Sequence, residues 1–450
     1  MIDEKEYIKR RKDLMSMMHI NSIAVISAAS EKVRSKDTFY PYKQNVNLTY
    51  LSGFQEPESV LVLIPGREEG QVILFCRERD PLREVWDGFR VGPAAAIKKY
   101  DLDDAFPISD IDDILPNLIE GKDRLYYAIG KDPDFDKRIL DWVNHVKSQR
   151  GNGALPPGEF MDLDHFMNEM RLIKNAAETG VIKKAAQISV EAHKRAMTFC
   201  QPGIYEYELQ AEIEHQFNKS GASGPAYTSI VGGGKNACVL HYIENKDILK
   251  DGDLVLIDAG CEYENYAADI TRTFPVNGKF STQQAAIYDI VLEALEQAIE
   301  VTQSGAPYNV TNETTIKVIT EGLVNLGLLQ GEVTDLITSE AHREFYMHGA
   351  GHWLGMDVHD VGDYKIDGEW RVYEPGMVVT IEPGIYISKH NMRVEEKWRG
   401  IGVRIEDDIL ITGTDPINLS KDAPRQSNEI EKLMKQESPI NQLVLPSIDD

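Results

Sequence analysis

Four apolar runs in the second half of the chain, DLVLID, DITRTFPV, VVTIEP and GVRIED, each carry a carboxylate where a strand should enter a core. Ionised carboxylates rarely sit inside a fold unless they are paired or hold a metal. Any fold of this chain must therefore bring positive charge to Asp258, Asp269, Glu382 and Glu406. One such acid alone reads as a strand-end group facing water; four in one region read as a cation site. Asp258 and Asp269 stand eleven residues apart across Gly260, as expected for acids on neighbouring hairpin strands. Two divalent cations bring the charge that four carboxylates neutralise, and carboxylates can bridge at the metal spacing of two-metal hydrolases.

The same region holds a glycine-broken histidine segment, MHGAGHWLGMDVHD, with His348, His352 and His359. The spacing of His348 and His352 would put both imidazoles on one face of a helix. Gly349 and Gly351 argue against that, since each glycine costs a helix roughly 1 kcal/mol relative to alanine. The zinc-protease signature H-E-x-x-H fails as well, because Gly349 stands where it needs glutamate. The expectation is a loop or strand edge presenting imidazoles to partners from elsewhere in the chain. Four carboxylates and one imidazole form an oxygen-rich donor set that favours Mn²⁺ over structural zinc, with Co²⁺, Fe²⁺ and Zn²⁺ also open.

A chain of 450 residues exceeds one ordinary core and predicts two domains. Residues 1–168 alternate apolar strands with helical segments, which predicts a mixed α/β domain with parallel pairing. GNGALPPGEFMDL is the linker region, by its glycines and prolines. Residues 169–415 open on one long helical stretch through Cys200, then turn into short β-rich runs interrupted by a helical pair. That pattern predicts an α+β domain with helices over an antiparallel sheet. Residues 416–450 read as a polar C-terminal tail with one short helix in NEIEKLMKQ. Trp86, in REVWDGFRVG, divides evenly between an exposed residue and partial core.

A net charge of -25 argues against nucleic acid or an anionic membrane as partner. No apolar run approaches the roughly 18 residues of a spanning helix, and the charged N-terminus lacks a signal-peptide core. Cys76, Cys200, Cys238 and Cys261 include no Cys-x-x-Cys pair, poor material for a zinc knuckle or a disulfide framework. A reducing compartment, the cytoplasm, is expected.

Together with YPYKQN…YLSGFQEPESVLVL and YTSIVGGGKNACVLHY, the segments HGAGHWLGMDVHD, TIEPGIYI and GVRIEDD resemble the pita-bread metallopeptidases. That family includes methionine aminopeptidase, prolidase and aminopeptidase P, and the chain is most similar to the aminopeptidase P branch over nearly its whole length. The resemblance implies a curved antiparallel pita-bread sheet in the second domain and two divalent ions per subunit. Asp258 would hold one ion, Asp269 and Glu406 would bridge, and His352 and Glu382 would hold the second. His241, His348 and His359 would serve the substrate side, Arg404 would stand beside the metal carboxylates, and Tyr227 and Tyr386 would be active-site tyrosines. Trp86 resembles a tryptophan that reaches a neighbouring subunit's site in tetrameric members, so a tetramer or dimer is implied. The implied activity is hydrolysis of the N-terminal residue from peptides with proline in second position, by a hydroxide bridging two metals, with Glu382 as proton acceptor. A prolidase restricted to Xaa-Pro dipeptides would use the same ligands; YPYKQN and the chain length favour the aminopeptidase. A non-catalytic peptide-binding protein on this fold is disfavoured because all five ligands stand.

Overall fold

The computed structural model describes residues 2–436. They fall into two compact units, Ile2–Met170 and a second from Arg171 onward.

The first unit is built on a six-stranded sheet. Its spatial order is Asp104–Pro107, Val72–Cys76, Val60–Leu63, Ser22–Ser27, Arg124–Tyr127 and Glu159–Asp162. Ser22–Ser27, Val60–Leu63 and Val72–Cys76 are apolar almost throughout and almost wholly buried, as strands covered on both faces must be. Alternate residues (Ile23 and Val25, Val60 and Val62, Ile73 and Phe75, Leu125 and Tyr127) turn to one face. There they meet Ile111, Leu115 and Ile119 of the helix Ile111–Ile119 and Ile139, Trp142, Val143 and Val146 of Pro133–Ser148, each set at helical spacing. The sheet is mixed. Ser22–Ser27 pairs parallel with Arg124–Tyr127, but antiparallel with Val60–Leu63, which pairs antiparallel with Val72–Cys76. Only the turn Ile64–Gln71 joins the last two, too short for the crossover a parallel pair requires. The short helix Pro81–Asp87 buries none of its residues, and Trp86 on it is 85% exposed. The partial-core alternative for that tryptophan is thereby excluded within this chain.

Where one long helix was predicted to open the second unit there are two, the first of them lying mostly within Ile2–Met170. The helix Asp164–Leu172 ends, and a new one, Ala176–Phe199, starts behind a capping box. Asn175 Oδ1 accepts the N–H groups of Ala177 and Glu178, while a Glu178 carboxylate oxygen accepts the Asn175 N–H. Helices Glu206–Lys219, Thr282–Val301 and Asn309–Asn325 accompany strands that pair only antiparallel. Leu254–Asp258 lies between Ile230–Gly233 and Thr271–Pro275; Val378–Ile381 pairs with Asp407–Leu410, and Gly384–Tyr386 with Gly402–Arg404. Single bridges, Thr271 to Glu406 and Trp353 to Val379, tie these pieces to each other and to the histidine segment. Three of the four acids sit off the strands expected to carry them, Glu382 standing one residue past the end of Val378–Ile381. Asp269 precedes Thr271–Pro275 by two residues, and Glu406 stands in the break between Gly402–Arg404 and Asp407–Leu410.

The segment after Pro416 is not a separate polar tail. Ile417–Asn418 adds a strand beside Asp407–Leu410, and the helix Ser427–Leu433 buries Ile430 completely. The polar residues there are polar because they serve a buried charge. Asn418, Ser420 and Arg425 all bond the Asp407 carboxylate at 2.7–2.8 Å. Residues from 437 onward, the end of the predicted tail, lie outside the described residues. Among the described residues no helix is long and apolar enough to cross a membrane.

Candidate metal centre

The acids converge because two glycines let backbone segments touch. A Cβ on Gly260 would lie 1.8 Å from the Ala268 carbonyl oxygen, so only glycine allows the approach that brings Asp258 and Asp269 to one place. Gly351 plays the same part on the other side, where a Cβ would lie 1.8 Å from the Thr380 carbonyl oxygen. The histidine segment is therefore a strand edge, as its glycines implied. The Thr380 and Glu382 N–H groups donate to the His352 and Ala350 carbonyls, at 2.9 and 2.8 Å. Gly349 has open space around its Cβ position, so the two glycines do different work. Gly351→Ala should displace His352, lowering activity and Tm together, whereas Gly349→Ala should keep the wild-type Tm; differential scanning fluorimetry beside an activity assay separates them.

Asp269, His352 and Glu406 present ligand atoms that all lie within 4.8 Å of one another. His352 Nε2 is 3.4 Å from Asp269 Oδ2 and 3.7 Å from Glu382 Oε1. Tyr227 bridges the two aspartates, its hydroxyl 2.6 Å from Asp258 Oδ1 and 2.5 Å from Asp269 Oδ1. Arg404 holds the other side of Asp258 at 2.6 Å and also donates to the Tyr386 hydroxyl at 3.1 Å and Thr271 Oγ1 at 3.2 Å. His348 Nε2 is 2.8 Å from the Tyr386 hydroxyl, and the His359 ring lies 4.1 Å from that of His352. His241 is exposed at the rim, close enough to act electrostatically on His348 and His359. The four acids and His352, the other three histidines, Arg404 and both tyrosines thus form one constellation. Trp86 stands in the first unit, on its exposed helix.

The electrostatics show what the cluster lacks. Burial, reinforced by neighbouring carboxylates, drives Glu406 well above the ordinary carboxyl range, and burial lifts Asp269 and carries Glu382 to about 7. Burial opposes a charged His352, but hydrogen bonding and attraction to Asp269 carry its imidazole up to about 9. Burial lowers His348 to about 4 and, with the nearby His352 charge, also lowers His359. Arg404 and His352 are the only cations in direct contact with these acids among the described residues. A buried donor set so short of positive charge fits divalent cations, which would replace the protons the acids otherwise retain.

Several contributors were not picked out from the sequence. Asp408 is fully buried, and its carboxylate oxygens accept the Asp269 N–H at 3.2 and 3.3 Å. The doubled acid ahead of ILIT was the available signal. Thr271 Oγ1 donates to Glu406 at 2.6 Å, and Thr380 Oγ1 accepts the His352 N–H at 3.0 Å. Three buried charges, joined by the part-exposed Asp357, fix the far end of the histidine segment. Asp360 takes Arg171 at 2.6 Å and Lys174 at 2.8 Å, while Arg171 also reaches Asp357 at 2.6 Å. Nothing in MRLIKN distinguished Arg171 and Lys174 from ordinary solvated helix cations.

Comparison with known proteins follows the same division. The model of metallopeptidase family M24 matches residues 180–413, and that of the aminopeptidase P N-terminal domain matches residues 7–126. An Xaa-Pro aminopeptidase of Escherichia coli is 46% identical, over 96% of this chain and 98% of that one. One of Haemophilus influenzae is 43% identical over 96% and 98%. The solved structure of a Pseudomonas aeruginosa aminopeptidase, PepP, is 56% identical, with a TM-score of 0.96 over 96% of this chain and 98% of that one. A zinc-substituted E. coli aminopeptidase P in complex with product superposes with a TM-score of 0.94 at 46% identity, over 96% and 98%.

Proposed function

The chain belongs to metallopeptidase family M24, and we propose that it removes the first residue from peptides that carry proline in second place. The observation that carries this reading is the convergence of Asp269, His352 and Glu406, with Asp258 and Glu382 beside them. In the proposed ligand set Asp258, Asp269, His352, Glu382 and Glu406 would hold two ions, with Asp258 on one side, His352 and Glu382 on the other, and Asp269 and Glu406 shared between them. Mn²⁺ is the favoured metal on the oxygen-rich donor set. Such ions, when bound, acidify water and polarise the scissile carbonyl.

The chain's own groups do the rest. Glu382, a largely buried carboxylate beside His352, accepts the proton of the attacking water. His359 and His241 donate to the carbonyl oxygen as charge builds on it, help of a kind that can reach a few kcal/mol. Burial keeps His348 neutral at pH 7, which suits an apolar proline ring better than a charged imidazole would. Arg404 fixes Asp258 with one arm of its guanidinium and Tyr386 with the other. An Xaa-Pro bond has no N–H, so peptidases that grip that hydrogen lose a contact there.

The test is hydrolysis of a matched Xaa-Pro and Xaa-Pro-Yaa pair by Mn²⁺-loaded protein. The tripeptide should be cleaved much the faster. Cleavage of the dipeptide alone would make the enzyme a prolidase, and full activity after chelation would sink the metal assignment altogether.

For assembly we propose a homo-oligomer, a tetramer or a dimer. Leu82, Val85 and Trp86 share one face of the helix Pro81–Asp87 and are 78–85% exposed, and Phe89 just past its end is 68% exposed. An apolar stripe of that kind on a chain of net charge -25 calls for cover. Leu82→Glu should therefore yield smaller species by light scattering. If Trp86 reaches a neighbouring subunit's site, the same variant loses activity in step with assembly. Cys76, Cys200, Cys238 and Cys261 are all free thiols, in keeping with the cytoplasm as location.

A further inference from the structure

Apart from the metal cluster, the catalytic unit holds a partly open cavity of about 190 Å³ where the helix Asn309–Asn325 begins. Its walls are Tyr308, Trp370, Tyr373 and Val379, and one side is the Gly349–Gly351 backbone that separates His348 from His352. The Tyr308 and Trp370 rings lie 26° from parallel with centroids 6.2 Å apart, and Tyr373 flanks Tyr308 at 5.7 Å. A cavity of about 150 Å³ already admits benzene, so this space takes a single ring with a small substituent.

Two polar atoms mark where that substituent goes. Asn309 and Asn312 both line the cavity, and the Oδ1 of each is buried without a hydrogen-bond partner. The Asn309 amide nitrogen donates to Glu313 at 2.6 Å, so its orphaned atom is an acceptor. The hydroxyls around the cavity are already satisfied. Tyr308 donates to the Gly351 carbonyl at 2.5 Å, and Thr311 and Tyr373 bond each other at 2.6 Å. The unmet demand is therefore for N–H donors, and one NH2 group carries two. A cationic ligand is disfavoured, since the Lys365 ammonium lies 4.4 Å from the Trp370 ring centroid.

We propose that this cavity is a ligand site for a small neutral aromatic molecule bearing an NH2 group, of the primary carboxamide type, whose binding acts on the Gly349–Gly351 backbone it shares with the metal centre. Occupancy presses on the Gly349–Gly351 backbone and so on the segment that carries His348 and His352. The ligand consequently lowers turnover without competing with peptide.

Benzamide is the probe, with toluene as the ring that lacks the donor. In soaked crystals of the metal-loaded enzyme the ring should lie among Tyr308, Trp370 and Tyr373, its NH2 within hydrogen-bond reach of Asn312 Oδ1. Benzamide should lower kcat on an Xaa-Pro-Yaa peptide while KM stays within about twofold. Asn312→Leu, or Asn312→Ala where leucine is not accommodated, should weaken benzamide by roughly tenfold, the worth of one hydrogen bond, and leave toluene no weaker. Ordered water alone in the soaked cavity, unchanged benzamide affinity in a folded Asn312 variant, or competition with peptide each overturns the assignment.

Discussion

Asp269→Asn should lower kcat/KM on Xaa-Pro-Yaa peptides by about three orders of magnitude or more, because a ligand shared by both proposed ions supplies several kcal/mol of transition-state charge stabilisation. The asparagine keeps the size of the side chain and can still meet Tyr227, so the fold should survive. The sign of the stability change separates a metal ligand from a structural acid. Burial holds the Asp269 carboxyl above its ordinary pKa. At neutral pH such a group disfavours folding until a cation arrives, since the unfolded chain ionises it more readily. In chelator the variant should therefore melt no lower than wild type. With Mn²⁺ present at about 100 times its dissociation constant, wild type should gain roughly 2.7 kcal/mol of stability, and the variant much less. Equal Mn²⁺-induced Tm shifts in the two proteins would remove Asp269 from the ligand set.

The second large effect falls on stability, at Asp407, three residues after Arg404 and one after Glu406. Arg272 and Asp407 form an ion pair at 2.6 Å with both side chains fully buried. Arg272 also donates to the Thr271 and Glu406 carbonyls at 2.9 and 2.7 Å, and so clasps the two segments that carry Glu406 and its hydrogen-bond donor. Arg425 adds a second charge on Asp407 at 2.8 Å. Asp407→Asn leaves two guanidinium groups without their counter-charge, a change that typically costs about 3–5 kcal/mol and, in a unit of this size, roughly 10 °C of Tm. The pH dependence has a definite direction. Burial opposes the Asp407 charge, but Arg272 and Arg425 outweigh it and bring the carboxyl down to about 2. An unfolded aspartate titrates near 3.9. Its contribution is thus complete above about pH 4 and is lost as pH falls from there toward 2. Acid titration of the two proteins should show their stabilities converging below about pH 2. A gap that persists there would assign the loss to packing instead.

Much of the fold was legible, and the reasons are local. Near-continuous apolar runs in Ser22–Ser27, Val60–Leu63 and Val72–Cys76 announced a buried sheet, and helical spacing in Pro133–Ser148 announced its cover. The glycines at 349 and 351 argued against a helix, and the segment is a strand edge. What failed was mostly a matter of breaks. One predicted helix is two because Asn175 caps the second, and an Asn-Ala-Ala-Glu run reads as helix interior until its capping bonds are seen. Residues 417–433 looked like tail because their polar groups face inward to Asp407, and direction along a short polar run has no periodic signature.

The sequence by itself determined which groups could carry the chemistry: acids on apolar runs, one glycine-broken histidine segment, and too few cations among them. Those are properties of residue type and near neighbours. Tertiary structure decided which atoms meet. Asp269 reaches His352 and Glu406 across more than eighty residues of chain, through Gly260 and Gly351 contacts that admit no Cβ. It also recruited Asp408, Thr271 and Tyr227, and it anchored the histidine segment on Arg171 and Lys174. Close approach, burial and the resulting shifts in carboxyl titration belong to no residue singly, since each arises only when distant segments exclude water from one another.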